Sequence, residues 1–412
     1  MSIETAAQDM ASELIRHDQV EILCHHDADG VAAGAIMSAA LYRAHIPFRL
    51  RVSSRVRSRD LSKTGHTLLC DLGSGLDDLP EETMIIDHHL PRFTGPYHVN
   101  PRLDGIDGDT SLSAAGAAYL VANALGDNRD LAGLVLTGII GDGQQLVGKN
   151  HEIFMDAMGN GIIGAKRGIR LPGRDLAEQL TLATTPFIPG VSGDESAIAD
   201  LITRCTPDGS DKKPALDLLL SHLILDAAEI SRPAALLDIY GDLYKLEREV
   251  IEDAISMTMV IDCCGKTGNG SLGAALCLRS SEGLEQAWEI ARNHRLSIIR
   301  TLKEVIRTPQ EGNIRVYEIT DHRLASDIAD TFCTMEGNSP VAVVARQDDG
   351  NCHLSIRAGM DDTKKGANLG TIVHTLAEEC SGYGGGHITR AGATISCEHL
   401  ARFLTGIGEA YA

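Results

Sequence analysis

Val20-Glu21-Ile22-Leu23-Cys24-His25-His26-Asp27-Ala28-Asp29-Gly30 is the stretch on which the fold turns. Val20–Cys24 reads as a buried strand, and Gly30 opens an alanine-rich helix over residues 31–44, with Asp27 and Asp29 in the loop between them. An amphipathic helix over 5–16 precedes this β-loop-α unit. Strands at 48–52, Thr67–Cys70 and Met84–Ile86 follow at spacings that suit βαβ crossovers, so the fold class is α/β. Three more polar clusters, Cys70-Asp71, Asp87-His88-His89 and Gly141-Asp142, also end apolar runs. In α/β proteins such ends converge on one sheet edge, where sites are built.

Composition narrows the class. A chain of 412 residues exceeds one ordinary core and predicts two to three domains. Six Phe, eight Tyr and one Trp leave little for the aromatic platforms on which many single-strand binders stack bases. A formal net charge of −20 repels polyanions at long range, so a phosphate substrate needs a local basic patch or bound cations. None of the ten cysteines forms a C-x-x-C pair, and Cys24, Cys70 and Cys352 sit in strand-like runs as small hydrophobes, which reads as a reducing cytoplasm. No secretory leader and no membrane-length apolar run is expected.

Further along, Val99-Asn100-Pro101 and residues 104–110 read as loop, with small-residue helices at about 112–125 and 130–140. Between 150 and 310 the pattern predicts a mainly helical connector, with a long helix over 234–260, a strand-like Ser271–Leu278 and a helix at 284–305. The last hundred residues read as a second α/β unit: strand 314–319, helix 323–336, strands 340–345 and 352–357, helix 366–379, a glycine loop and strand 391–396.

Aspartates at i and i+2 in a loop can flank two neighbouring cations. Asp71, arriving alone from a middle strand, is the bridging candidate; His88 and Asp142 complete a second ion, and His25 adds to the first. Carboxylates with few imidazoles suit Mn²⁺ or Mg²⁺ better than Zn²⁺. Each Asp taken alone is more ordinarily an N-cap or turn residue. His26 has no pattern to place it and reads as a surface residue or a neighbour of the ligands.

These clusters resemble the DHH phosphoesterase superfamily: D-x-D-G at 27–30, the lone Asp71, the triplet Asp87-His88-His89, and Asp142, in that order. The resemblance implies two Mn²⁺ or Mg²⁺ ions held by Asp27, Asp29, Asp71, His88 and Asp142, a phosphate contact from His89, and an orienting role for Asp87. Gly384-Gly385-Gly386-His387 and Ser355-Ile356-Arg357 resemble the DHH-associated domain, whose glycine loop and S-x-R strand face the metal centre across a cleft. Substrate binding is then implied for Ser355, Arg357, Gly385, Gly386 and His387, more weakly for Arg390; His89, Asp71, Arg357 and His387 form the implied catalytic set. The expected organisation is a parallel-sheet DHH domain over 1–165, a helical connector over 166–310 and a smaller α/β domain over 311–412.

Within the superfamily the D-x-D-G form, the Val99-Asn100-Pro101 loop and the helical connector look most like archaeal RecJ-like proteins. That implies a two-metal exonuclease on single-stranded DNA or RNA, with replication or repair proteins as partners. Two alternatives stand beside it. The first is a phosphodiesterase on nanoRNA, cyclic dinucleotides or phosphoadenosine phosphate, although Leu23 occupies the place where that branch usually carries a His. The second is a scaffold subunit of a replication complex. Six of the twelve Lys and Arg in residues 1–150 are Arg49, Arg51, Arg55, Arg57, Arg59 and Lys63; they read equally as a strand-binding track or a charge-protected edge strand.

Overall fold

The computed structural model describes residues 2–57, 61, 66–76, 78–207, 213–228, 230–306, 313–336, 339–359 and 367–411. Two compact units are present, one from residues 1–166 with 242–291, the other from 167–241 with 292–412. The chain therefore leaves the first unit, returns to it, and leaves again.

In the first unit, helix α1 (Ile3–Leu14) precedes β1 (Val20–His25), α2 (Ala28–Arg43), β2 (Phe48–Ser53), β3 (His66–Cys70), β4 (Met84–Ile86) and β5 (His98–Val99). The strands form a parallel five-stranded sheet in the order β2-β1-β3-β4-β5; the sequence predicted β1 to β4 and a parallel sheet, while the order and the two-residue β5 come from the structure. A parallel sheet buries both faces, which is why β1, β3 and β4 are short apolar runs. α2 lies close enough to β1 that a Cβ on Gly34 would meet the side chain of Cys24. The opposite face packs Leu23, Leu69 and Ile85 against Val56 and Leu61. Helices α3 (Ala114–Leu125), α4 (Ala132–Gly141) and α5 (Gly148–Gly159) follow.

Next come β6 (Ile163–Ile169), α6 (Leu176–Thr181), α7 (Glu195–Cys205), α8 (Leu216–Ala227), α9 (Pro233–Leu237) and β7 (Tyr240–Leu246), with β6 and β7 paired as a ribbon. Helices α10 (Ala254–Lys266) and α11 (Gly270–Cys277) return to the first unit. Two expectations are corrected here. The long helix over 234–260 is instead α9, β7 and α10. Tyr240–Leu246 finds a partner in β6, and Asp253 caps a new helix by accepting from the Ser256 N–H. Ser271–Leu278 is helical, because Gly270, Gly273, Ala274 and Cys277 recur on one buried face with helical spacing.

After α12 (Leu284–Val305), β8 (Arg315–Ile319), α13 (Ala325–Glu336), β9 (Val341–Arg346), β10 (Asn351–Arg357), α14 (Leu369–Glu379), β11 (Tyr383–Gly386), β12 (Arg390–Ser396) and α15 (Leu400–Ala410) complete the chain. Their sheet order is β11-β12-β10-β9-β8, antiparallel except for β8 with β9. One apolar cluster covers each face, built around Phe403 and Leu354 on one side and Phe332 and Val343 on the other. The glycine run expected as a loop is edge strand β11. Its lack of side chains lets α14 approach, since a Cβ on Gly384 would meet Val373. Cys352, expected as a free buried thiol, forms a disulfide with Cys397. Among the described residues no helix is long and apolar enough to cross a membrane.

Candidate metal centre

Every candidate ligand of the first unit sits at the carboxyl edge of its parallel sheet or on α4. His25 ends β1, Asp27 caps α2, Asp71 follows β3, His88 and His89 follow β4, and Asp142 caps the C-terminus of α4. The ordinary role of Asp27 and the unusual one coexist: its Oδ1 accepts from the Gly30 N–H at 3.0 Å, while Oδ2 lies 2.8 Å from His25 Nδ1. A Cβ on Gly30 would collide with the His25 backbone, so this turn closes only with glycine.

Asp71 occupies the centre. It is 2% exposed and adopts φ +58°, a left-handed conformation that a non-glycine residue keeps only where its surroundings impose it. Its Oδ2 is 3.3 Å from His25 Nδ1, and its Oδ1 is 3.3 Å from His88 Nε2. His88 Nε2 is also 3.2 Å from Asp142 Oδ2 and 3.8 Å from Asp29 Oδ2. Two groups result, His25-Asp27-Asp71 and Asp29-His88-Asp142, each with ligand atoms within 4.8 Å of one another. Asp71 Oδ1 and Asp142 Oδ2 are buried and accept no hydrogen bond among the described residues. Buried anionic oxygens so placed fit a divalent cation, whose charge would offset their desolvation.

Electrostatics of the metal-free protein point the same way. Burial, then repulsion from Asp71, pushes the Asp29 carboxyl up to about 6; burial and Asp29 hold Asp142 well above the usual carboxylate range. Burial disfavours a charged His25 and His88, yet Asp27 for the former and Asp71 with Asp142 for the latter outweigh it and raise both imidazoles well above their ordinary value.

Neighbouring groups fix the ligands, and most were not legible in the sequence. His88 Nδ1 donates to the Gly108 carbonyl at 2.6 Å, which Gln144 Nε2 also reaches at 2.9 Å; Gln144 Oε1 in turn accepts from buried Asn150. Asp29 accepts from the N–H groups of Ala114 and Ala115 at 2.7 and 2.9 Å, so the amino end of α3 anchors it. Gly138 is required there, since a Cβ would strike Asp29 Oδ1. Asp87 accepts from Ser74 N, His88 N and His89 Nδ1, the last at 2.7 Å, and its carboxyl is held far below its ordinary range because His89 outweighs burial. Its ring contact is thus to His89 and not to the ligand candidate His88. Asn100, in the loop singled out above, donates to Ser74 Oγ and the His89 carbonyl. His26 lies edge-on to His25 at 4.5 Å, and burial lowers its imidazole to about 3.

In the second unit the candidates meet different partners. Arg357, 8% exposed, gives Nε to Asp330 Oδ1 at 2.6 Å and Nη2 to Asp330 Oδ2 at 3.2 Å, with Nη1 on the Ile356 carbonyl. The fork of Arg357, the expected substrate-binding arginine, is thus turned to a carboxylate of α13. Arg390 Nε also approaches Asp330, at 3.4 Å. Ser355 is buried beside Arg357 on β10. Gly385 and Gly386 lie in β11, Gly386 at φ +147°, and His387 begins the turn to β12, its N–H donating to the Arg390 carbonyl. Arg59 and Lys63 lie outside the described residues.

Residues 313–411 match the DHHA1 domain family. The match covers the carboxy-terminal part alone, while the α/β fold of the chain, a parallel five-stranded sheet with a second α/β region, is similar to that of solved RecJ and DHH-domain structures. Along 99% of its length the chain is 26% identical to an uncharacterized protein of Methanocaldococcus jannaschii, 96% of which is covered. The fold is shared with RecJ of Thermus thermophilus, solved with Mn²⁺ (TM-score 0.59, 16% identity, 99% of this chain), of which the chain spans 54%. It is shared as well with CDC45 of Entamoeba histolytica (TM-score 0.63, 11% identity, 99% of both chains).

Proposed function

We propose that this chain is a divalent-metal-dependent phosphodiesterase, a RecJ-like exonuclease on single-stranded DNA or RNA, holding two Mn²⁺ or Mg²⁺ ions per site. The observation that carries the reading is Asp71, whose two carboxylate oxygens face different donor groups, 3.3 Å from His25 and 3.3 Å from His88. His25 and Asp27 would hold one ion, Asp29, His88 and Asp142 the other, and Asp71 both. Bound there, such a pair supplies a water of lowered pKa and neutralises phosphate oxygens.

The chain's own residues do the rest. Gly108 accepts a hydrogen bond from His88 Nδ1–H, which leaves Nε2, facing Asp71 and Asp142, as the nitrogen that would hold a cation. Asp87 holds His89 by Nδ1 and raises its imidazole against the opposing effect of burial, so that a protonated ring presents Nε2–H to a phosphate oxygen. In the second unit, His387, the Gly385-Gly386 backbone, Ser355 and Arg357 are assigned to substrate, with Arg357 held by Asp330. Replication or repair proteins are the proposed partners.

Purified protein with Mn²⁺ should release mononucleotides from labelled single strands, and Asp71→Ala or chelation should abolish release. Persistent release in the variant would sink the reading. A protein that cuts dinucleotides far faster than strands would belong to the small-substrate alternative. One that binds its partners but no Mn²⁺ would be the scaffold, a role that gives no reason to keep mutually repelling buried carboxylates.

A further inference from the structure

The arginine run singled out in the sequence lies on the edge strand of the metal-binding unit. Among the described residues β2 pairs only with β1 and runs parallel to it, in a register that sets Ser53 beside His25. Leu50 and Val52 turn inward: Cβ atoms on Gly34 of α2 and Gly270 of α11 would meet them. Arg49 and Arg51, between those residues, are exposed. Arg51 keeps Glu21 at 2.9 Å with 42% of its side chain exposed. Past the strand, Val56 is buried against Leu23, Leu61 and Leu69, which pins the segment, while Arg55 and Arg57 on either side of it are exposed. Four arginines thus recur at every second residue, apart from Ser53, and lead to the edge that holds His25.

Such a row can simply keep an edge strand from pairing with another chain. Three features favour a ligand instead. Arg49 and Arg51, two apart on the strand, are about 6.6 Å apart, a spacing at which an anion between them is attracted to both guanidinium groups. The chain carries a formal net charge of −20, so general charge repulsion needs no concentrated basic row. The row also ends at the catalytic edge rather than away from it.

We infer that Arg49, Arg51, Arg55 and Arg57 form the track along which the backbone of a single-stranded polynucleotide reaches the metal centre, and that they set the preference for strands over dinucleotides. This rests on the proposed phosphodiesterase activity for what happens at the end of the track. Binding along the track does not depend on that activity.

The test uses the full chain. Binding of a fluorescein-labelled single-stranded oligonucleotide is followed by anisotropy across a KCl series in EDTA, where no cleavage occurs. Each phosphate neutralised contributes about −0.7 to the slope of log K against log salt. Arg49→Ser with Arg51→Ser should make the slope shallower by about 1.4, and Arg49→Lys with Arg51→Lys should restore it. With Mn²⁺, the serine variant should lose about tenfold in the ratio of kcat/KM for strand over dinucleotide, the equivalent of about 1.4 kcal/mol. An unchanged slope and ratio in a folded variant would overturn the track. So would self-association of the variant with the slope intact, which marks an edge guard. If the wild type cleaves neither substrate yet shows the arginine-dependent slope, the track stands and the hydrolase reading falls.

Discussion

His88 Nδ1 lies 2.6 Å from the carbonyl oxygen of Gly108. A carbonyl can only accept, so this contact places a proton on Nδ1 and leaves Nε2, which faces Asp71 and Asp142, as the nitrogen free to hold a cation. The same carbonyl takes a bond from Gln144, which Asn150 holds in place.

Loss of Gln144 should therefore weaken the metal centre without removing a ligand. For Gln144→Ala we expect Mn²⁺ affinity, by isothermal titration calorimetry, to fall about tenfold, the low end for a group that orients a metal-binding imidazole. Unaltered affinity would show that Gly108 alone orients His88.

Asp142→Asn should change sign with metal. Burial, then Asp29, raises the folded-state value of Asp142, so its contribution is full below the unfolded value and lost as pH rises through the raised one. In EDTA the variant should melt above the wild type, by a margin greater near about pH 8 than near about pH 5. In Mn²⁺ the order should reverse. A variant less stable than wild type in EDTA at both pH values would contradict the charge argument.

Glu249 offers a test remote from the centre. Burial pushes its carboxyl up to about 7 despite Arg279 at 3.3 Å, and its Oε2 accepts no hydrogen bond among the described residues. A raised acid loses its contribution as pH climbs from the unfolded value near about 4.3 through the folded one, at a cost on the order of 3 kcal/mol. Urea unfolding of Glu249→Gln should match the wild type at about pH 4 and exceed it at about pH 8; equal stability at both would refute this.

Arg357→Ala separates a structural arginine from a phosphate clamp. Breaking its part-buried pair with Asp330 should cost on the order of 3 kcal/mol. Asp330→Asn should show much of the same loss. If Arg357→Ala keeps its melting temperature while KM alone rises, the guanidinium serves substrate after all.

The sequence by itself determined the parallel sheet, because apolar runs of strand length alternating with small-residue helices have few other solutions. It also determined the identities gathered at its edge, since Asp27, Asp29, Asp71, His88 and Asp142 each end an element whose direction the βαβ pattern fixes. The tertiary structure alone decided what each group is doing. Asp71 turns its two carboxylate oxygens toward different partners, His25 and His88, from a backbone at positive φ. Gln144 and Asn150 reach His88 from far along the chain, and Arg357 is spent on Asp330, a residue of another element. Local pattern carries the direction in which a strand ends; partnership across tens of residues depends on packing, which no spacing in the sequence encodes. The same reason misread Tyr240–Leu246, an ambiguous stretch made a strand by pairing with β6, and hid the join of Cys352 to Cys397, which share no motif.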